Sequence, residues 1–305
     1  MAVFQIGKPL EPIKEKPFKL EKDIQQLVEA NLMQMLSLRF IRSEFQIGNY
    51  RIDTLAFDDE KNAFVIIEYK RDKNFSVIDQ GYAYLSTMLN NKADFILEYN
   101  ETMASALKRS DVDWSQSRVV FISPRFSAYQ RDAINFKDLP IELYEIRRYA
   151  NDTLLFELIR NSDSKESIST VSKKNENVIK VNKEVIVYNE QDHLDNAGDG
   201  VRELYRQIKE RLQSSYDNIT VQPKKQTVGL KVDGHIFCDF VFQKKELKIF
   251  LNLKQGDLDD ARHMARDVAN IGHWGNGAYE IKLAGPDHLD YILYLLSQSI
   301  DKNKN

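Results

Sequence analysis

A chain of 305 residues with 42% hydrophobic and 29% charged side chains has the composition of a folded, water-soluble protein, long enough for two separately cored domains. It holds no apolar run of about 18 residues, which excludes a membrane-spanning helix, and its one cysteine, Cys238, excludes an internal disulfide and a cysteine zinc cluster. The net charge of −3 argues against a wholly basic nucleic-acid binder but leaves room for a local basic rim.

The first twenty residues are broken by prolines and lysines and lack the apolar core of a signal peptide, so the expectation is a cytoplasmic protein. Residues 21–36 carry Ile24, Leu27, Val28, Leu32 and Met35 at helical spacing. Strands fit 39–47 and 50–57 around the turn Gly48-Asn49, and a third strand, AFVIIEYK, follows a polar turn. A helix fits 75–91, a strand the segment DFILEY, and another strand RVVFIS. A helix over 125–137 and strands at 141–148 and 153–160 complete a mixed α/β order.

Residues 161–176 are rich in Ser, Lys, Asn and Glu, a linker composition. VIKVNKEVIVY reads as a strand that could join either domain, and QDHLDNAGDG reads as a loop. The expected division is therefore a domain at 1–160, a linker at 161–197 and a second domain at 198–305. That second domain opens with the helix VRELYRQIKERL and continues with hairpin strands at 226–232, 235–242 and 246–253. A short helix near 258–270, the Gly-rich IGHWGNG, the strand YEIKLAG and a final helix over 287–299 make it α+β.

The chemistry concentrates at Glu68-Tyr69-Lys70, where two charged residues at i, i+2 end an apolar strand and face the same side. A four-residue loop at 59–62 pairs Asp58 with Ala63, so paired numbers sum to 121. Asp53 then stands opposite Glu68, and Arg51 opposite Lys70. A one-residue slip would separate them. Two carboxylates brought together repel unless a cation joins them, and hard oxygen donors suit Mg²⁺ or Mn²⁺. A neighbouring lysine can orient a water or stabilise charge developing on phosphate. The bland alternative is a solvated strand end with an ordinary Glu68–Lys70 salt bridge.

This pattern resembles the PD-(D/E)XK nuclease superfamily, in which an Asp on one strand faces E-x-K on the next. The resemblance implies a restriction-endonuclease-like α/β domain, a mixed sheet flanked by helices. Glu29 matches the helix glutamate that many members add to the metal shell. Gln80 and Tyr84 supply the QxxxY of the RecB-like branch, on one helix face at i, i+4. The order fills about residues 21–92 and is similar to the nuclease half of NucS-type endonucleases. Ile52 replaces the nominal proline. The implied catalytic set is Asp53, Glu68, Lys70 and Glu29, supported by Gln80 and Tyr84, with Asp53, Glu68 and Glu29 holding Mg²⁺ or Mn²⁺. The implied substrate is DNA, with RNA the alternative, in restriction, defence or repair. A dimer is the geometric expectation if both strands of a duplex are cut. Arg51, Arg71, Lys73, Lys92, Arg125 and Arg131 are candidates for a nucleic-acid rim, against the alternative of a solubilising surface. The competing function is a silent nuclease fold that binds nucleic acid or a protein.

E-x-K alone is a weak signal, since Glu246-Leu247-Lys248 and Glu280-Ile281-Lys282 repeat it, the former with Asp239 upstream, and neither precedes a QxxxY helix. From DHL at 192–194 to GHWGNG at 272–277, the second domain resembles a family of unknown function that commonly follows nuclease-like segments. Lys224, Lys225 and Lys231 beside a hairpin are candidates for phosphate contact. His273-Trp274 between glycines offers either a ligand-facing turn or a tight turn with a core-packed Trp. The histidines 235, 263, 273 and 288 show no zinc spacing. The expectation for this domain is nucleic-acid binding or assembly.

Overall fold

The computed structural model describes residues 2–71, 75–136, 138–159, 167–168 and 176–304. The chain divides into two compact units, Met1–Val187 and Tyr188–Asn305.

Unit 1 opens with a small hairpin, β1 (Phe4–Gln5) and β2 (Glu11–Pro12), followed by helices α1 (Glu21–Ala30) and α2 (Leu32–Leu36). The periodic stretch 21–36 is thus two helices, interrupted at Asn31, whose side-chain amide donates to the Leu27 carbonyl. Strands β3 (Arg39–Ile47), β4 (Tyr50–Asp58) and β5 (Ala63–Tyr69) form a meander. Then come α3 (Val77–Asn90), α4 (Lys92–Met103), β6 (Arg118–Ser123), α5 (Ala128–Ala133), β7 (Ile141–Arg148), β8 (Leu154–Ile159) and α6 (Glu176–Glu184). One mixed sheet runs in the order β3-β4-β5-β6-β7-β8, with β5–β6 and β6–β7 parallel.

Helices cover both faces of this sheet. Ile24, Val28 and Leu32 pack with Ala56, Val65 and Ile67 on one face. Residues of α3, α4 and α6 pack with Leu55, Phe57, Phe64 and Ile66 on the other. The central strand β5 is buried along its whole length, which explains its continuous apolar run. Glycine at 81 lets α3 lie close to the sheet: a Cβ there would stand 2.5 Å from Ile141 Cδ1.

Two expectations for this unit are corrected. DFILEY is helical, not a strand. Phe95 and Tyr99 are buried at i, i+4 on α4 and join the aromatic cluster of Phe45, Phe57 and Phe64. The expected strand at 178–188 is largely α6, which buries Val178, Val181 and Val185 against unit 1. Tyr82 donates to Asn182 Oδ1 (3.0 Å), and Lys92 pairs with Glu184. Within the expected linker, residues 161–166 and 169–175 lie outside the described residues, and 176–184 form α6.

Unit 2 contains α7 (Glu190–Asp195), where a loop was expected, and α8 (Asp199–Ser215). Its antiparallel sheet comprises β9 (Thr220–Pro223), β10 (Val228–Val232), β11 (His235–Phe242), β12 (Leu247–Leu251), β13 (Ala265–Asp267) and β14 (Tyr279–Leu283), in the order β13-β14-β12-β11-β10-β9. The chain ends in α9 (Leu289–Asn303). Val201, Leu204, Ile208 and Leu212 of α8 and Ile292, Leu295, Leu296 and Ile300 of α9 pack on one sheet face. No helix forms at 258–270. That segment is irregular apart from the short edge strand β13, and His263 adopts a left-handed φ of 53°.

Among the described residues no helix is long and apolar enough to cross a membrane.

Candidate functional site

The site is set up by a turn. Asp58 Oδ1 accepts from the backbone N–H groups of Glu60 (3.1 Å) and Lys61 (3.0 Å), and its Oδ2 accepts from Arg118 (2.9 Å). This Asx-type turn fixes a four-residue connection. Burial opposes the Asp58 charge, but Arg118 and Lys61 outweigh it and hold the carboxyl below the usual range. The β4–β5 ladder then runs from Asp58↔Ala63 to Thr54↔Ile67, every pair summing to 121. The next step brings Asp53 beside Glu68.

There the ladder gives way to side chains. The Asp53 N–H donates to Glu68 Oε1 (3.2 Å), and the Tyr69 N–H donates to Asp53 Oδ2 (3.0 Å). Each carboxylate thus holds the backbone of the opposite strand. Glu68 Oε2 accepts from Lys70 Nζ (3.1 Å) and Gln80 Nε2 (3.2 Å), while Gln80 also donates to the Tyr84 hydroxyl (3.1 Å). Asp53 Oδ1 accepts no hydrogen bond among the described residues. The structure therefore brings Asp53, Glu68, Lys70, Gln80 and Tyr84 together on the α3 face of the sheet. Lys70 also lies over the Phe75 ring, 5.9 Å from its centroid.

The electrostatics follow from this enclosure. Glu68 is 1% exposed. Burial, then the Asp53 charge, push its carboxyl up to about 7 against the pull of Lys70. Burial likewise raises Asp53, partly offset by the Tyr69 N–H and Lys70. Burial also raises the Tyr84 and Tyr69 phenols, which remain neutral donors and acceptors.

Glu29 is not brought to the pair. Its Oε1 accepts from the Thr54 hydroxyl (2.6 Å) and Gln25 Nε2 (2.9 Å). Thr54 follows Asp53 directly, so their side chains leave opposite faces of the sheet, and Glu29 serves the α1 face. Its link to the site runs through Gln25, whose Nε2 also bonds the Asp53 carbonyl oxygen (2.8 Å) and Ser43 Oγ (3.0 Å). Among the described residues no group of three or more His, Cys, Asp or Glu is arranged to hold a metal ion. The candidate donor set is the pair Asp53 and Glu68.

Sequence reading missed Gln25, Thr54, Tyr69 and Glu44. Gln25 was within reach of inference, since it sits four residues before Glu29 on one helix face. Glu44, between the pairs Ser43↔Thr54 and Phe45↔Ile52, lies across from Asp53 and has a left-handed φ of 55°. Lys22 (3.0 Å) and Arg51 (2.9 Å) bind its carboxylate, and Lys22 foremost holds it below the usual range.

The rim candidates separate. Arg51 is engaged by Glu44 but remains exposed. Arg71 NH1 donates to the Lys19 carbonyl (2.8 Å). Lys73 lies outside the described residues. Lys92 stands over Trp114 and pairs with Glu184, so it secures α6. Arg125 pairs with Glu15, and Arg131 with the buried Glu145. In unit 2, Lys224 reaches the buried Asp239 (3.4 Å) while Lys225 is exposed. Of the rival triplets, Lys248 meets Glu280 at 3.4 Å. Trp274 is 68% exposed, which corrects the core-packed alternative.

Residues 190–301 match the family described as Domain of unknown function (DUF5655). An uncharacterized protein of Haemophilus influenzae is 49% identical over 291 residues, covering 95% of this chain and 96% of that protein. Among solved structures, a repair endonuclease from Pyrococcus abyssi covers 40% of this chain at 16% identity and a TM-score of 0.23. An EndoMS–dsDNA complex covers 44% at 11% identity and a TM-score of 0.27. Pyrococcus furiosus SfsA in complex with Ca²⁺ covers 45% at 14% identity and a TM-score of 0.24. The matches span 45%, 60% and 61% of those chains, respectively, less than two thirds of each. Those scores are too low to speak for a shared overall fold, and the candidate site stands on its own residues.

Proposed function

The chain belongs to the same family as the Haemophilus influenzae protein, and we propose that its unit 1 hydrolyses phosphodiester bonds of DNA with Mg²⁺ or Mn²⁺ held by Asp53 and Glu68. The observation that carries this reading is the convergence of these two carboxylates with Lys70 at the point where the β4–β5 ladder ends. A structural role gives no reason to bury two carboxylates together and so disfavour the ionisation of both. The donors fit a hard divalent cation: two carboxylates of which Asp53 Oδ1 is unengaged among the described residues, with waters completing the shell.

Such a cation, when bound, supplies Lewis acidity toward a phosphoryl oxygen and lowers the pKa of a water. The chain's own residues supply the rest. With its carboxyl pushed up to about 7, Glu68 titrates near neutrality, and any proton it carries would have to leave before both carboxylates could act as ligands. Gln80, itself bonded to Tyr84, holds Glu68 Oε2 in place. Lys70 sits where it can donate to a water or to a phosphate oxygen as charge develops there.

Purified protein is expected to cut DNA in the presence of Mg²⁺ or Mn²⁺, and Asp53→Ala or Lys70→Ala to abolish cutting. Cutting that survives both substitutions overturns the assignment. Calorimetric titration with Mn²⁺ separates the silent-fold alternative: metal binding that disappears in Asp53→Ala supports the site, and no Asp53-dependent binding removes it. RNA in the same assay decides the polymer.

A further inference from the structure

Unit 2 carries its two long helices on one face of its sheet, and the opposite face is built differently. Along β12 and β14 that second face presents Lys248, Phe250, Glu280 and Lys282, since Ile249, Leu251, Ile281 and Leu283 belong to the helix-covered core. Lys248 and Lys282 are direct cross-strand partners. Like charges placed opposite each other destabilise a sheet. The nearby carboxylate, Glu280, is nearly buried and shared between Lys248 (3.4 Å) and Arg266 (3.9 Å), and Arg266 is largely exposed. A second carboxylate on this face, Asp239, is fully buried beneath Thr227 and Lys224. Both of these carboxylates are buried, whereas Lys282 and Arg266 are exposed and Lys248 is partly so.

Across Phe250 runs the segment 272–277. The His273 ring stacks on Phe250 with centroids 5.2 Å apart and planes 7° apart, and its nitrogens lie 2.6 Å from the Ile271 carbonyl oxygen and 2.9 Å from that of Gly277. The Asn276 N–H donates to Asp239 Oδ2 (2.9 Å). A Cβ at position 275 would stand 2.3 Å from Phe250 Cγ. At position 277, with φ +89°, it would stand 1.8 Å from the Leu251 carbonyl oxygen. Two glycines are thus required for the loop to lie this close to β12. Between these anchored residues, Trp274 projects an indole that is 68% exposed. An exposed tryptophan on a pinned loop loses little conformational freedom when something stacks on it.

We propose that this face binds single-stranded nucleic acid, with an unpaired base stacked on Trp274 and backbone phosphates on Lys248, Lys282 and Arg266. Phosphate relieves the repulsion of the lysine pair, and Lys248, Lys282 and Arg266 together outweigh the charge of Glu280. An unpaired base has the free π-face that a flat aromatic accepts, whereas bases within a duplex are already stacked. The binding stands whether or not unit 1 cuts DNA.

The test uses the full chain in EDTA, with a fluorescently labelled short oligothymidylate followed by anisotropy across a NaCl series. Trp274→Ala is expected to weaken binding by about 5- to 150-fold, the value of one base–aromatic stack. The Lys248→Gln, Lys282→Gln double variant is expected to lower the slope of log K against log[NaCl] by about 1.4, two phosphate contacts on a single strand. A melting curve checks that Trp274→Ala remains folded. Unchanged affinity of folded Trp274→Ala overturns the proposal. So does an equal dependence on Trp274 for a duplex of the same length, since it would remove stacking as the mode.

Discussion

At Glu68, burial and the Asp53 carboxylate act in the same direction, and Lys70 and Gln80 act against them. The balance leaves the carboxyl near 7, above its ordinary 4.5. A folded-state value above the unfolded one means that the stabilising contribution is fully present below pH 4.5 and is lost as the pH rises through 7. Metal-free protein should therefore lose on the order of 3 kcal/mol across that window from this group alone. Glu68→Gln keeps the shape and removes the charge. Its melting temperature in EDTA should exceed that of the parent at pH 8 and match it near pH 4.5. A parallel pH dependence in the two proteins would remove Glu68 as the titrating group. The Asp53–Glu68 juxtaposition could be read from the sequence because strands have a period of two and a turn length fixes parity. The same alternation hid the role of Glu29. Helix position alone does not reveal which sheet face a side chain serves, and Thr54, the residue that takes Glu29, carries no chemical signature of its own.

The hairpin β4–β5 is the element that converts this pairing into a site, and Asp58 is its control point. Its carboxylate ties two turn amides and the buried Arg118, which also meets Glu142. Asp58→Ala removes the turn bonds and takes one counter-charge from a buried guanidinium, a change worth about 3 kcal/mol or more. Chemical denaturation should report that loss, and Mn²⁺ affinity should fall with it because the turn sets the register of Asp53 against Glu68. Full metal affinity with the stability loss would show that the register survives without the turn. Elsewhere the reading of elements went astray where local pattern and tertiary packing diverge. DFILEY has the short apolar run of a buried strand, but Phe95 and Tyr99 four apart find an aromatic cluster as a helix. LDDARHMARDV has helical composition, but the structure uses Ala265–Asp267 to extend a sheet and Asp260 and Asp267 to bond nearby backbone amides.

At the scale of the molecule, the expected end of the first domain at 160 leaves out α6. That helix and the residue after it bury Val178, Val181 and Val185 in the main core of unit 1, and its polar side chains tie it to α3 and Lys92. Full burial of three valines contributes roughly 5 kcal/mol, as much as the whole stability of many domains. Its Ser/Lys-rich approach and amphipathic polar face gave the segment the look of a linker, since the partner surface on α3 is not contiguous with it in sequence. A fragment 1–187 should therefore unfold cooperatively in urea with the midpoint of unit 1 in the full chain. A fragment 1–160 should show a clearly lower midpoint or no cooperative transition. Unit 2 has its own continuous core between α8, α9 and the sheet, so 188–305 should fold alone. The two fragments then separate the two activities. Metal-dependent cutting is expected of 1–187 and single-strand retention of 188–305, and mixing them should not restore the affinity of the joined chain, because tethering would raise the local concentration of one site's ligand at the other. Equal midpoints for 1–160 and 1–187 would show that α6 is a bystander and return the boundary to where the composition alone places it.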